Sequence, residues 1–251
     1  MLKEKEDDIL LDSIEKKIDL CIEYGKFTNT TFLDMRQRSL TESVCRRRGD
    51  LGYSFYGGYP EAERTVAVFL PEYTRLEDNN PLALLRVTRN GYKELSHRDY
   101  LGSLIGLGIK REMIGDILVH GDGAEIIVLK SISEFLLMNY EKAGRTNLKV
   151  EIASIDSLIV PDARFETKRD TVASLRLDSV IASAFSMSRG SAAEAINDGS
   201  VFVNSQLCEK TDRLVKEGDK LTLRGKGKAV LEAVGDITRK DRTVIAIKRY
   251  L

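Results

Sequence analysis

The sequence predicts an α+β protein of three parts. These are a small N-terminal α/β unit (1–76), a βαββαβ middle domain (77–160), and a C-terminal region with a basic linker, two helices and a small sheet (161–251). Helical and strand-like periodicities alternate along the chain, and four prolines without any Ser/Gly-rich tract argue against long disordered linkers. Residues 164–251 hold 17 Lys and Arg against 12 Asp and Glu, although the net charge of the whole chain is zero. This basic end on an acidic body indicates a localised polyanion site.

Composition excludes several classes of protein. An apolar fraction of 42% and a charged fraction of 31% are typical of a folded, soluble chain. No apolar run reaches the roughly 18 residues of a membrane span, and the N-terminus MLKEKEDDILLD is too acidic for a signal peptide. Three cysteines without a C-x-x-C spacing predict neither a disulfide framework nor a zinc site. We therefore expect a cytoplasmic protein without membrane contact, cofactor or small-molecule substrate.

In the N-terminal unit two helices are predicted, over residues 6–24 and 34–48, and a glycine follows each of them. Two strands are expected at residues 53–56 and 65–70, on either side of the segment GGYPEAER. The two glycines of that segment could suggest a phosphate loop. A P-loop needs a following Lys-Ser/Thr, which is missing, so a tight turn is expected instead.

In the middle domain the predicted elements follow the order βαββαβ. LALLRVTR is strand-like, Ser96 can cap a helix, and His120-Gly121-Asp122-Gly123 is typical of a hairpin. The segment SISE predicts a capping box that opens a helix from Ser131 to Ala143, and a last strand covers residues 148–155. This split-βαβ order is the one that RNA-recognition-motif (RRM) domains share.

The RRM-like order alone does not establish RNA binding by the middle domain. An RRM stacks bases on aromatic side chains of its central strands, and the corresponding strand here, AEIIVLK, has none. We therefore expect mainly a packing or protein-contact role. Arg98, Lys110 and Arg111 could form a second RNA contact, but a core helix with charged outer residues is the favoured interpretation.

The C-terminal region begins with an expected polar connection over residues 156–171, which contains Arg164, Lys168 and Arg169. An amphipathic helix is then predicted from the helical spacing of Leu177, Val180, Ile181 and Ala184. Ser188 is expected to cap a second short helix, Gly199 to end it, and VFV and LTLR to form strands.

Cations are concentrated around the ends of these helices and in the following loops. A helix start offers N–H groups and partial positive charge to a phosphate, and an arginine there adds a bidentate donor. Asp178 is expected to orient Arg176 or Arg189 rather than to contact RNA. The alternative interpretation is a solvated surface with scattered Lys and Arg. For Lys226, Lys228 and Arg239, the two interpretations are equally well supported. The candidate RNA-binding residues are Lys168, Arg169, Arg176, Ser188, Arg189, Lys210, Arg213, Arg224 and Lys226.

The C-terminal segment closely resembles the S4 domain. It carries R-L-D, then S-R-x-x-A-x-x-x-I-x-x-G-x-V-x-V-N from position 188 to 204, then an E-G-D turn. The resemblance implies two helices packed on a small sheet, which grip structured RNA through helix termini and basic loops.

The whole chain is similar to the YlmH family of bacterial S4-domain proteins. The similarity is carried by TTFLDMRQ (30–37), GGYPEAER (57–64), LSHRDYLGSLIGLGIKREMIGDILV (95–119) and the S4 segment. It implies a non-catalytic factor that binds structured RNA, rRNA or tRNA, on the large ribosomal subunit, in translation or the quality-control rescue of stalled ribosomes. No family counterpart can be assigned to RGKGK or to the tail from Asp236.

The alternative function is an RNA-modifying enzyme of the pseudouridine synthase type that uses an S4 domain to hold its substrate. Such enzymes place S4 before a large catalytic domain with a reactive Asp in an R-L-D segment. Here the R-L-D segment (176–178) lies inside the S4-like part, and about 75 residues follow it. His97 and His120 belong to no nucleophile or metal-ligand pattern, so we expect no enzyme activity. A third possibility is a protein-interaction adaptor that has lost RNA affinity.

Overall fold

The fold is a mixed α+β architecture. The computed structural model describes residues 2–49, 52–72, 74–92, 94–161 and 165–250, and within residues 2–6 only the backbone. The chain divides into two compact units, over residues 1–161 and 162–251. The predicted boundary between residues 76 and 77 stays a prediction.

The first unit begins with two helices and an antiparallel sheet whose order is β1-β3-β2. Its elements are α1 (Leu2–Tyr24), β1 (Thr28–Asn29), α2 (Met35–Arg48), β2 (Gly52–Tyr56) and β3 (Val66–Leu70). Both predicted helices are present. The side chain of Asp34 caps α2 by accepting from the N–H of Gln37, and Gly49, with φ 67°, ends it. Ile14, Ile18 and Cys21 of α1 are buried in the core of this region.

The remainder of the first unit is a sheet with two helices, in the strand order β5-β6-β4-β8-β7. Its elements are β4 (Leu82–Asn90), α3 (His97–Gly106), β5 (Ile114–Val119), β6 (Gly123–Leu129), α4 (Ser133–Asn139), β7 (Lys142–Ala143) and β8 (Thr146–Ala153). All four pairings are antiparallel. The predicted cap of α3 is present, since Ser96 and Asp99 form a capping box.

The predicted helix from Ser131 to Ala143 is wrong at both ends. A 3₁₀ turn over Lys130–Ile132 precedes α4, which covers only Ser133–Asn139 and has no side-chain cap. Residues 142 and 143 instead pair with β8 across Gly144, whose φ is 60°. A glycine after an apolar run can end a helix or supply the left-handed residue of a hairpin, and here tertiary pairing selects the hairpin.

One face of the middle sheet is covered within the first unit, and the other is covered around Leu84 and Ile127 but open along β8, where Lys149 and Glu151 are exposed. One face packs Leu85, Ile126 and Val128 against α3 and α4. On the other face, Leu84 and Ile127 are fully buried, together with Leu82 and Leu129, against Phe32, Val66 and Val68 from the first 70 residues. Every residue of β6 is buried, which explains its continuous apolar run. The apolar part of this face is therefore closed to bases, whereas Thr88 of β4 and Lys149 of β8 are exposed on it.

The second unit has two short helices on a six-stranded antiparallel sheet, in the order β11-β10-β12-β13-β14-β9, among its described residues. The predicted stripe of α5 is buried, with Leu177, Val180 and Ile181 fully enclosed, and Ala192 and Ile196 of α6 meet it in the same core. The elements are β9 (Phe165–Val172), α5 (Leu177–Ala184), α6 (Arg189–Asn197), β10 (Val201–Val203), β11 (Gln206–Leu207), β12 (Lys220–Leu223), β13 (Gly227–Ile237) and β14 (Thr243–Tyr250).

The expected polar connection over residues 156–171 is wrong from residue 165 onward. Residues 165–172 form β9, which pairs with β14 along its whole length, from Phe165 opposite Tyr250 to Val172 opposite Thr243. Val172 is its single buried residue, because β9 is an edge strand, where polar side chains are tolerated. Arg164, which the sequence analysis placed in the connection, lies outside the described residues.

Candidate nucleic-acid interface

The N-terminus of α6 is held by Ser188, as predicted. Its backbone is extended, with φ −67° and ψ 152°, and its side chain accepts from the N–H of Ser191 at 3.0 Å. Arg189 follows at the first helical position, and its side chain is about half exposed. A guanidinium therefore stands where helix N–H groups and partial positive charge already favour an anion.

A buried carboxylate joins this arginine to a second one. Arg189 donates to Asp178 from Nε (3.0 Å to Oδ2) and from Nη2 (2.9 Å to Oδ2 and 3.2 Å to Oδ1). Arg176 donates to the same carboxylate from Nε and Nη2, each at 3.3 Å. The predicted contact of Asp178 with Arg176 or Arg189 is thus present with both. We call these three residues the Arg–Asp–Arg cluster.

The cluster fixes the charge state of Asp178. Burial alone would raise the pKa of Asp178, but hydrogen bonds from Arg176 and Arg189 and their charges outweigh burial and hold that pKa below its usual value. One carboxylate then faces two guanidiniums, so the cluster keeps one net positive charge. Both arginine side chains remain more than a third exposed, and they can contact an incoming anion.

The loop that carries Lys210 and Arg213 is tied to the start of α5. The backbone carbonyl of Arg213 accepts from the N–H of Leu177 at 2.8 Å, and the carbonyl of Thr211 accepts from the N–H of Asp178 at 3.1 Å. The loop backbone therefore lies beside the Arg–Asp–Arg cluster, and it carries two predicted site residues that lie more than 20 positions along the chain from Arg189.

Lys168 and Arg169 are separated by strand geometry. Successive side chains of a strand point to opposite faces. Lys168 points toward α5, where Nζ donates to the carbonyl of Ser183 at 2.9 Å and lies 3.6 Å from Asp170. Arg169 is exposed on the opposite face of the sheet. Lys168 can therefore share a surface with Arg189, whereas Arg169 belongs to a different surface.

Arg224 and Lys226 lie at the other end of α6. The N–H of Arg224 donates to the carbonyl of Ser200, which follows α6, at 2.9 Å. Since α6 has nine residues, this point is about 13 Å from its N-terminus. Gly225 and Gly227 have φ values of 81° and 104° and form the turn between β12 and β13. The two cations therefore form a separate group.

Arg242, which the sequence analysis did not select, completes a cleft between β9 and α5. The cleft has a volume of about 440 Å³, and Lys168, Arg189 and Arg242 are among the residues that line it. Arg242 donates through Nε to the hydroxyl of Thr171 at 3.0 Å and through Nη2 to the carbonyl of the same residue. No local pattern marks Arg242, because only the pairing of β14 with β9 brings it here. We call this space the β9–α5 cleft.

The polar motifs of the first unit serve packing. The carboxylate of Asp116 accepts from the Tyr59 hydroxyl at 2.9 Å and from two backbone N–H groups of the GGYPEAER turn, Glu63 at 2.7 Å and Arg64 at 3.1 Å. A Cβ on Gly57 would lie 2.4 Å from Cβ of Ala62. This is the tight turn predicted in place of a phosphate loop.

Arg111 contributes to the same interior rather than to an exposed patch. It donates to the carbonyl of Ile114 at 2.6 Å, and burial, followed by the charge of Arg64, lowers its pKa to about 10. Arg98 and Lys110 are exposed. Of the three residues of the hypothetical second contact, one is therefore already used in packing.

Among the described residues, no three His, Cys, Asp or Glu side chains are placed to hold a metal ion. In the same part of the chain, the helices include none with the length and apolar character of a membrane span.

Comparison with known proteins places the chain in a family. The profile of a family described as "Putative RNA-binding domain in YlmH" matches residues 78–157. A solved structure, "Cell division protein ylmH from Streptococcus pneumoniae", aligns with a TM-score of 0.54 at 21% identity and covers 61% of this chain and 94% of that chain, a likeness of fold alone. The "Ribosome-associated protein quality control protein P2" of Bacillus subtilis (strain 168) is 33% identical over 222 residues, which are 88% of this chain and 86% of the relative. With a third of the residues identical over nearly its whole length, the chain belongs to the YlmH family, as its sequence motifs predict.

Proposed function

We propose that this protein is a non-catalytic factor that binds structured RNA on the ribosome through its second unit. The observation that carries the proposal is the Arg–Asp–Arg cluster at the N-terminus of α6, beside the loop of Lys210 and Arg213. A fixed pair of guanidiniums next to a helix N-terminus suits the phosphate backbone of folded RNA, which is read by shape more than by base sequence. The family description and the name of the Bacillus relative support RNA and the ribosome as partners.

The arrangement of α5 and α6 on β10 and β12 supports an S4-type module. The order of β5, β6, β4 and β8 supports an RRM-like middle domain. We propose rRNA or tRNA on the large ribosomal subunit as the bound RNA, in the rescue of stalled translation. Because apolar packing covers the sheet around Leu84 and Ile127, RNA contacts within residues 78–157 would use helices, loops or exposed residues of β8 such as Lys149.

The proposal is tested by co-sedimentation of the full-length protein with purified large ribosomal subunits at several salt concentrations. We expect Arg189→Glu with Lys210→Glu to weaken binding at least tenfold. Each lost phosphate contact should also reduce the dependence of log K on log salt by about 1.

The matched control reverses two exposed cations of α1 and α2, Lys16→Glu with Arg47→Glu, and should bind like the parent. If the Arg189 and Lys210 variant also binds like the parent, the proposed surface is wrong. Mass spectrometry of the RNA after incubation tests the non-catalytic part, since any modified nucleotide would refute it.

A further inference from the structure

We propose that the β9–α5 cleft holds a single unpaired nucleotide of the bound RNA, with its base inside and its phosphate at the cationic rim. This inference rests on the proposed function and specifies the kind of RNA recognised. RNA-binding proteins obtain specificity mainly from unpaired bases in loops and bulges, which can leave the stack and enter a concave site. The volume, about 440 Å³, lies in the range of small-molecule sites.

The charge of the cleft favours a phosphate. Three cations line it, Lys168, Arg189 and Arg242, against one carboxylate, Asp170. Asp170 is occupied internally, since its Oδ2 accepts from the Ser183 hydroxyl at 2.6 Å and its Oδ1 from the N–H of Thr171 at 2.7 Å. With Asp178, which accepts from Arg189, the cleft region has three cations against two carboxylates, an excess of one positive charge.

The cations are held in place by the protein rather than free to collapse into the cleft. Lys168 is anchored by the Ser183 carbonyl, Arg189 by Asp178, and Arg242 by Thr171. Guanidinium groups fixed in this way keep donors for a bidentate contact with phosphate.

The wall of the cleft suits a base. Ala182 and Met187, both partly exposed, supply apolar surface, and Ser186 adds a hydroxyl for the polar edge of a base. Ser186 has φ 51°, a left-handed kink that turns the chain after α5 so that the N–H of Met187 can donate to the carbonyl of Ala182 at 3.0 Å. Methionine adapts its shape to flat, polarizable partners. An aliphatic and hydroxyl-lined wall below a cationic rim matches a nucleoside 5′-phosphate.

The two walls of the cleft come from different parts of the second unit. One wall is α5, which belongs to the S4-like segment, and the other is β9 with Arg242, which lie outside that segment. The site beside Arg189 is therefore concave because β9 and Arg242 form its second wall.

The test uses the full-length protein with ¹³C-labelled methionine methyl groups. Met187 lines the cleft, and Met138, 72% exposed in α4, is the internal control. The four nucleoside 5′-monophosphates are titrated, with inorganic phosphate as a separate arm. We expect a saturable shift of the Met187 methyl signal with at least one nucleotide, a much smaller shift with phosphate, and no change at Met138. Absence of a Met187 shift with all four nucleotides would overturn the proposal.

A second arm separates RNA from free nucleotides. An RNA hairpin with one bulged nucleotide is compared with the same hairpin fully paired. We expect at least fivefold tighter binding of the bulged hairpin, with a Met187 shift. Equal affinity for the two hairpins, with no shift of the Met187 signal, would overturn the proposal that the cleft holds a nucleotide of RNA, but it would not contradict the proposed function. Failure of both hairpins and of ribosomal subunits to bind would instead refute the proposed function.

Variants locate the effect in the cleft. Arg242→Ala should remove the preference for the bulge, whereas Arg239→Ala, a nearby exposed cation, should keep it. Because Arg242 also ties β14 to β9, Ala173→Trp serves as a second variant, since Ala173 is exposed and lines the cleft. Its indole should block the base and remove the preference without loss of thermal stability. A bulge preference that survives both Arg242→Ala and Ala173→Trp would contradict the proposal.

Discussion

At the scale of single residues, Asp178 decides how the two arginines of the candidate site are held. Its side chain is 7% exposed, and it accepts from Arg176, from Arg189 and from the N–H of Ser179. A buried carboxylate is costly without partners, and the two guanidiniums remove that cost. The acid is thus part of a cationic surface without itself contacting RNA.

The depressed pKa of Asp178 predicts a pH dependence of stability. The pKa in the folded state lies below the unfolded value of about 3.9. The carboxylate therefore stabilises the fold above about pH 4, and this contribution is lost as the pH falls through the folded-state pKa. Asp178→Asn should lower stability at pH 7 by about 1–3 kcal/mol and should weaken the loss of stability between pH 5 and 2.

Urea unfolding of parent and variant at a series of pH values measures this effect. Asp236→Asn, at an exposed aspartate of β13, is the control and should follow the parent curve. Parallel curves for the parent and Asp178→Asn would show that Asp178 does not titrate with folding.

At the scale of elements, the ends of α3 and α4 differ although both are preceded by serines. Ser96 caps α3 by reciprocal hydrogen bonds with Asp99. The N–H of Asp99 donates to Oγ of Ser96 at 3.4 Å, and the N–H of Ser96 donates to Oδ2 of Asp99 at 2.8 Å. Ser131 lies exposed in a 3₁₀ turn, and α4 starts without a side-chain cap. The same residue type therefore contributes differently to the two helices.

We expect Ser96→Ala to destabilise the protein by about 1 kcal/mol, because the first turn of α3 loses its capping acceptor. Ser131→Ala should change stability by less than about 0.5 kcal/mol, as exposed substitutions usually do. Chemical unfolding of the two variants gives both values. Equal destabilisation would mean that Ser131 caps α4 after all.

The sequence predicted the features that depend on residues close together along the chain, and it failed for those that depend on long-range strand pairing. The helices α1, α2, α3 and α6 are predicted with a cap or glycine at an end, and α5 from apolar spacing alone. The strand state of β9 comes from pairing with β14, more than 70 positions away, and the alternative role of Gly144 depends on the partner strand. The same distinction applies to the site: Arg176, Asp178 and Arg189 are close in sequence, whereas Arg242 reaches the cleft only through long-range pairing.

At the scale of the whole molecule, each of the two units has its own interior. Among its described residues, the second unit is built around one apolar cluster, which includes Ile181. The first contains several, and that of Ile127 joins residues from its two sheets. A domain with its own core can open and close as a cooperative unit.

Core substitutions should therefore act within one unit. Ile127→Ala and Ile181→Ala remove side chains that are fully buried, and each should cost about 2–5 kcal/mol. By hydrogen exchange with mass spectrometry, Ile127→Ala should speed exchange in residues 2–161 and Ile181→Ala in residues 165–250. Each substitution is the control for the other, and faster exchange throughout the chain for either one would show that the two units unfold together.

The covered face of the middle sheet has a consequence for how the protein can be divided. A fragment that starts at residue 77 would bring Leu84 and Ile127 into contact with water, since Phe32, Val66 and Val68, which pack against them, belong to the preceding 76 residues. Part of this face of the sheet is covered by side chains of the N-terminal region, namely Phe32, Val66 and Val68. The N-terminal region therefore completes the core of the middle sheet, so a fragment without it should lose solubility or stability before any loss of binding is measured.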